Sequence, residues 1–115
     1  MSAGYQELFL EQGSSFNTTI ILDDVYGNSY NLFNYSAASE MRKSYYSTNA
    51  TAVFDTVVTP LSGQITLSLD SPATANIKPG RYVYDLVIYS NTDAANNTIR
   101  VLEGIINVTP RVTRL

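Results

Sequence analysis

The sequence predicts an all-β fold, one antiparallel sandwich of two sheets, on three observations. Runs of alternating apolar and polar residues recur along the chain between breaks rich in Gly, Pro, Asn and Ser, with no sustained helical periodicity. The strongest run follows the Pro79-Gly80 corner, where Tyr82, Tyr84, Leu86 and Ile88 alternate with Val83, Asp85 and Val87. Both faces of such a strand are too apolar to stand in water, which requires two layers around it, and Tyr82 has the placement of a tyrosine corner. Finally, 115 residues, 44% apolar and 15% charged, suffice for one core and are too few for two. A single domain over 1–115 follows, with 1–4 and 110–115 as flexible or partner-docking ends.

In chain order, Tyr5 to Glu11 reads as a first strand with Leu8 and Leu10 inward, broken by Gln12-Gly13-Ser14-Ser15. Phe16 to Asp23 follows with Phe16, Thr18, Ile20 and Leu22 on one face, and Asp23 to Asn28 supplies a hairpin turn into a strand over Ser29 to Phe33. Ser36 to Tyr46 contains the helix formers Ala37, Ala38, Glu40, Met41, Arg42 and Lys43. Its alternation of Ala37, Ser39 and Met41 against Ala38, Glu40 and Arg42 nevertheless assigns a strand. After a polar loop, Ala52 to Thr59 sets Phe54, Thr56 and Val58 opposite Val53, Asp55 and Val57. Pro60 to Gly63 turns the chain into Gln64 to Asp70, where Ile65, Leu67 and Leu69 share a face.

Residues 72–76 fit a single helical turn, with Ser71 as N-cap and Pro72 at the first helical position. Beyond the Tyr82 strand, Ser90 to Asn97 is a hairpin tip, and the last strand runs from Thr98 to Thr109 with Gly104 as a bulge or close backbone approach. About seven strands joined mainly by hairpins, with the Pro-Gly-x-Tyr corner, describe an immunoglobulin-like sandwich without its disulfide. Tyr84 takes the place of the second cysteine, and the Tyr82 hydroxyl is expected to donate to backbone near Pro72 to Asn76.

The formal charge of −3, with no basic run longer than Arg42-Lys43, lacks the footprint of a nucleic-acid binder. No run approaches the roughly 20 apolar residues of a membrane helix, and Met1 to Glu7 lacks the regions of a signal peptide, so a chain made in the cytoplasm and not secreted by that route is expected. With no Cys and no His, disulfides, thiolate chemistry, Cys-ligated metals and imidazole-based catalytic sets are excluded. Composition therefore argues against an enzyme, and no cofactor or metal is expected.

Asp23, Asp24, Asn28 and Asp55 could offer hard oxygen ligands to calcium, but their spacing matches no twelve-residue loop and ordinary turn composition accounts for them. Glu7, Glu11, Glu40 and Glu103, the glutamates a two-carboxylate hydrolase would use, fall on different strands and read as solvated faces. Gly80-Arg81 and Gly104 form no phosphate cradle, and the Asn-x-Ser/Thr triplets at Asn17, Asn34, Asn49, Asn96 and Asn107 read as chance in an Asn- and Thr-rich β protein. Nine Tyr with no Trp is the compositional oddity. Tyr26, Tyr45, Tyr46 and Tyr89 are candidate interface anchors, against a bland reading as strand formers and core filling. Arg111 and Arg114 beyond Pro110 are either a frayed terminus or a docking arm.

One resemblance covers most of the chain. Its pieces are Glu11-Gln12-Gly13-Ser14-Ser15-Phe16, Leu22-Asp23-Asp24, Gly27-Asn28-Ser29-Tyr30-Asn31-Leu32, Tyr35-Ser36-Ala37, Met41-Arg42-Lys43-Ser44-Tyr45, Gly63-Gln64-Ile65-Thr66-Leu67-Ser68-Leu69, Pro79-Gly80-Arg81-Tyr82-Val83-Tyr84-Asp85-Leu86 and Glu103-Gly104. Together they resemble tailed-phage virion structural proteins, the adaptor-type β-sandwich domains of baseplates and tail fibres. The resemblance implies a virion location, a role in tail, baseplate or neck assembly, partners among other virion proteins or further copies of the chain, and no catalysis. No fibre or receptor-binding sequence follows Leu115 here, so a stand-alone module associating by an edge strand or its tail is expected. The alternative is a small carbohydrate- or ligand-binding sandwich in which Tyr26 and Tyr45-Tyr46 form a stacking platform.

Overall fold

A computed structural model describes residues 4–23, 26–28, 30–93 and 95–113. Among these, nine strands and one helix form in the order β1 (Gly4–Tyr5), β2 (Leu8–Glu11), β3 (Phe16–Ile21), β4 (Tyr35–Arg42), β5 (Ala52–Val53), β6 (Asp55–Thr59), β7 (Gln64–Leu69), α1 (Ser71–Ala75), β8 (Gly80–Ser90) and β9 (Thr98–Thr109). One sheet has the order β1-β9-β8-β4-β5 with β2 also on β9, and the other is β3-β7-β6. The architecture is an all-β, immunoglobulin-like sandwich. Period-2 alternation builds the core between the sheets: Leu10, Met41, Ile65, Leu67, Leu86 and Ile106 are fully enclosed, and Phe16 meets Phe54 with ring centroids 5.8 Å apart. Each such side chain contributes about 1.5–3 kcal/mol of burial free energy.

The expected first strand is interrupted at Gln6-Glu7 and runs parallel to β9, so the sandwich is not wholly antiparallel. The cause lies in the short turn after it. Gln12 binds the last strand and the corner at once, its backbone amide donating to Thr109 O at 3.0 Å and its side-chain Nε2 to Ile77 O at 3.0 Å. Gly13, at φ 83°, then sends the chain across to the other sheet, so β2 stays beside β9 instead of forming a hairpin with β3. Gly104 is a close approach: a Cβ there would overlap the Gln6 carbonyl. The bulge of β9 lies elsewhere, at the register shift that leaves Val101 unpaired between Leu102 and Arg100.

No strand forms over the described part of 29–33. Tyr30 instead donates its amide to Leu22 O and Leu32 to Pro60 O, which drives Leu32 into the core as a plug at the sheet ends. The preceding hairpin turn falls partly on Asp24 and Val25, and with Ser29 these lie outside the described residues. The strand expected over 36–46 is β4, stopping at Arg42, with Tyr45-Tyr46 in the turn that follows. The strand expected over 52–59 changes sheet at buried Phe54: β5 pairs with β4 and β6 with β7. The Phe54 amide donates to Ser39 O at 2.9 Å, holding the crossing point against β4.

The N-cap of α1 is Asp70 and not Ser71, with the Asp70 carboxylate accepting from the Ala73 amide at 3.0 Å. The freed Ser71 hydroxyl donates to Gly13 O, and buried Thr74 donates to Ser14 O, tying α1 to the β2–β3 turn. The Tyr82 hydroxyl does find backbone, but at Lys78 O, 2.6 Å away, and not near Pro72 to Asn76. The Pro79-Gly80 bend folds the preceding carbonyl back over the ring, so a partner four residues upstream comes within reach first. Lys43 Nζ sits 4.9 Å from the same ring centroid.

Two stability changes follow. Tyr82→Phe should lose ~1 kcal/mol with an unchanged denaturant slope; urea unfolding equal to the parent would remove the corner bond from the account. Gly104→Ala should cost roughly 1–3 kcal/mol and speed hydrogen exchange at the Gln6 amide, which donates to Glu103 O. Unaltered exchange there would show that the approach is not tight.

Candidate functional site: the outer face of the large sheet

Residues paired across strands share a face, so the registers determine what the six-stranded sheet presents away from the core. The central row reads Tyr5, Glu103, Asp85, Glu40, Val53 from β1 through β9, β8 and β4 to β5. On one side lies Ile105, Val83, Arg42 and on the other Arg100, Val87, Ala38. Phe9, beside Asn107, extends the apolar part to the β2 edge. Tyr5, Phe9 and Val53 are exposed, while Val83, Val87 and Ile105 are half-buried. Over the paired strands β4 and β8 lies a cleft of about 330 Å³, bounded by Glu40, Arg42 and Tyr45 on one side and by Val83, Asp85 and Val87 on the other.

Charges in this face are partly self-compensated. Arg42 Nη2 meets Glu40 Oε1 at 2.6 Å while its Nη1 donates to Ser47 O and Thr48 O, and Arg100 Nη2 meets Glu103 Oε2 at 3.3 Å. Among the described residues, none donates a hydrogen bond to the Asp85 carboxylate between them. Burial pushes the Asp85 carboxyl above the usual carboxylate range, with Glu40 and Glu103 adding to the effect and Arg100 and Arg42 opposing it. Aspartate is a poor strand former, and like charges directly across strands repel. The Asp85 carboxylate thus works against folding when ionised.

The sequence-predicted residues are dispersed. Tyr45 walls the cleft, Tyr46 beside it is 96% exposed, and Tyr89 lies half-buried on the same face of β8, opposite Ser36 and Thr98. Tyr26 is exposed in the segment between β3 and β4, at the far end of β4 from Tyr45. Eight strand residues, roughly 26 Å, separate those ends, so Tyr26 and Tyr45-Tyr46 form no common platform. Arg111 does not project at its base: its amide donates to Gln12 Oε1 at 3.4 Å and its guanidinium lies over Gly13. Arg114 lies outside the described residues.

Pro79 and Gly80 form the exposed bend before β8 and serve the Tyr82 corner. Of the calcium candidates, Asp23, Asn28 and Asp55 are exposed and Asp24 lies outside the described residues; no cluster of three or more acidic side chains suited to a metal ion occurs among those described. Glu40 and Glu103 are brought together, flanking Asp85, while Glu7 accepts from Asn107 Nδ2 at 2.6 Å and Glu11 lies on β2. Sequence reasoning missed Asp85 as a site residue. The signal available was a carboxylate at the midpoint of an otherwise apolar strand face, Val83-Asp85-Val87.

No protein-family profile matches the chain, and no curated protein does. Among solved structures it is similar to InlP of Listeria monocytogenes, with 16% identity and a TM-score of 0.53 over 93% of this chain and 27% of that one. It is also similar to the GspB Siglec domain, with 14% identity and a TM-score of 0.57 over 93% of this chain and 55% of the other. The likeness is one of fold. The chain spans about a quarter and about half the length of these two proteins.

The raised carboxyl makes a signed prediction. A folded-state proton affinity above that of the unfolded chain means Asp85 favours folding only when protonated, and its ionisation on raising pH through the folded value costs stability. Asp85→Asn should therefore melt higher than the parent at pH 7, with the gap closing below about pH 3, where the parent carboxyl is protonated in both states. A variant less stable at pH 7 would show that the carboxylate is satisfied in the fold.

Proposed function

We propose that this chain is a non-catalytic adaptor working by protein–protein contact through the outer face of its six-stranded sheet, and that its setting is a tailed-phage particle, in tail, baseplate or neck. The observation that carries the first part is the composition of that face. Exposed Tyr5, Phe9, Tyr45 and Val53 stand around half-buried aliphatic side chains and a cleft with charged groups at its centre, so the face offers a partner both apolar contact area and a polar focus. The opposite outer face, on β3, β7 and β6, offers mainly Asn17, Thr19, Gln64, Thr66, Ser68, Asp55 and Thr59, with Ile21 and Val57 as its apolar exceptions. The virion setting is supported by the sequence resemblance, and partners there are other virion proteins or further copies of this chain.

A second reading, a small carbohydrate-binding module, is favoured by Tyr45 standing beside Arg42 and Asp85 in one cleft, where a ring could stack and hydroxyls find partners.

Phe9→Ser combined with Tyr45→Ala removes two side chains that are 68% and 65% exposed, so the fold should persist while association falls at least about tenfold. Light scattering of the purified chain and its co-sedimentation with particles from the encoding phage would measure this. A parent that stays monomeric and is missing from particles would sink the adaptor reading, and glycan-array binding by that same monomer would favour the second one.

A further inference from the structure

We propose that the docking partner lays an arginine side chain in the cleft over β4 and β8, its guanidinium against the Asp85 carboxylate and its stem along Val83, Val87 and the Tyr45 ring. This inference rests on the adaptor reading and adds the chemistry of what docks.

Charge complementarity is the first ground. Three carboxylates stand side by side in the central row, Glu40, Asp85 and Glu103, and the two nearby guanidinium groups are each held by an outer member of the three. Arg42 is further tied to the Ser47 and Thr48 carbonyls, so swinging to Asp85 would break several bonds at once. The central carboxylate feels Arg100 and Arg42 through space but accepts a direct bond from neither, and so is left as the acceptor open to an incoming donor. A cation supplied from outside would relieve its repulsion from both neighbours.

Shape and surroundings narrow the cation. At about 330 Å³ the cleft lies at the small end of ligand pockets, roughly 300–1,000 Å³, and suits one long side chain. Val83 and Val87, two residues to either side of Asp85 on one strand face, provide aliphatic walls for a methylene stem. Tyr45 offers an aromatic ring at the rim. A guanidinium is more weakly hydrated than an ammonium, stacks on aromatic rings and meets a carboxylate with two parallel bonds, so arginine loses less than lysine on entering a partly desolvated site. Exposed Tyr5, Phe9 and Val53 around the same face favour apolar residues next to that arginine.

The test is an amide chemical-shift titration of the whole chain at pH 7 with three capped tripeptides, Leu-Arg-Leu, Leu-Gln-Leu and Leu-Glu-Leu. The arginine peptide should give saturable shifts over 38–42 and 83–87, the glutamine peptide should bind at least about tenfold more weakly, and the glutamate peptide should give none. Asp85→Asn, with its fold checked by the dispersion of its own amide spectrum, should bring the arginine peptide down to the glutamine level. Arginine and glutamine peptides binding this face alike, or arginine shifts that survive Asp85→Asn, would overturn the arginine inference and leave the docking face standing. No shift on this face from any of the three would overturn both.

Discussion

The Tyr84 hydroxyl is buried and has one described acceptor, the Gln6 carbonyl at 2.6 Å. Leaving such a hydroxyl unpaired costs about 1–3 kcal/mol, so the kink between β1 and β2 is fixed where that carbonyl can reach the ring. Burial, with Tyr5 adding to it, pushes the phenol up to about 12, which keeps it a neutral donor. The same carbonyl lies over Gly104, where any side chain would collide with it. The kink therefore anchors the first strand on β9 with Tyr5 opposite Glu103. A bond made inside the core thus decides which residue ends the central row outside it.

Strand β8 serves two purposes through its alternation. Tyr82, Tyr84, Leu86 and Ile88 are buried and bind the sheets together, while Val83, Asp85, Val87 and Tyr89 face outward half-buried. The inner set is what a sandwich requires and would be chosen by packing alone. The outer set is not, because burying the Asp85 carboxylate between two others works against folding, with Arg100 and Arg42 offsetting part of the effect. Residues held at such a cost are where stability and function trade against each other.

Elements whose evidence is local were legible in the sequence. The alternation of β4, β7 and β8 was read with the correct grouping of faces, and β9 with its correct ends, because the period of a half-buried strand is written into neighbouring residues. Direction and partner were not legible. Leu8 and Leu10 point inward whether their strand runs parallel or antiparallel to its neighbour, and the alternation through Val53, Phe54 and Asp55 continues unbroken while the chain passes from one sheet to the other. Asp70 and Ser71 are both good caps, so which one begins α1 is settled by the Ser71 hydroxyl finding Gly13 O. The candidate site was hidden for the same reason as the pairing: Glu40, Asp85 and Glu103 are distant in sequence and meet only through two strand registers.

The fold also constrains how a partner could engage. An open sheet edge invites an added strand, and β4 has on that side only the two residues of β5. Its next carbonyls are already taken, Ser39 O by the Phe54 amide and Ala37 O by the Thr56 hydroxyl at 2.9 Å. The crossing at Phe54 therefore closes the edge that β5 leaves short, and strand addition there would first have to undo it. At the other end of the sheet the β2 edge is bordered by Glu7 and Glu11, and like charges on an approaching copy would repel. The base of the tail is pinned by Gln12. With these routes hindered, the docking proposed above would fall to the face, where side chains would make the recognition and the central carboxylate would discriminate between partners.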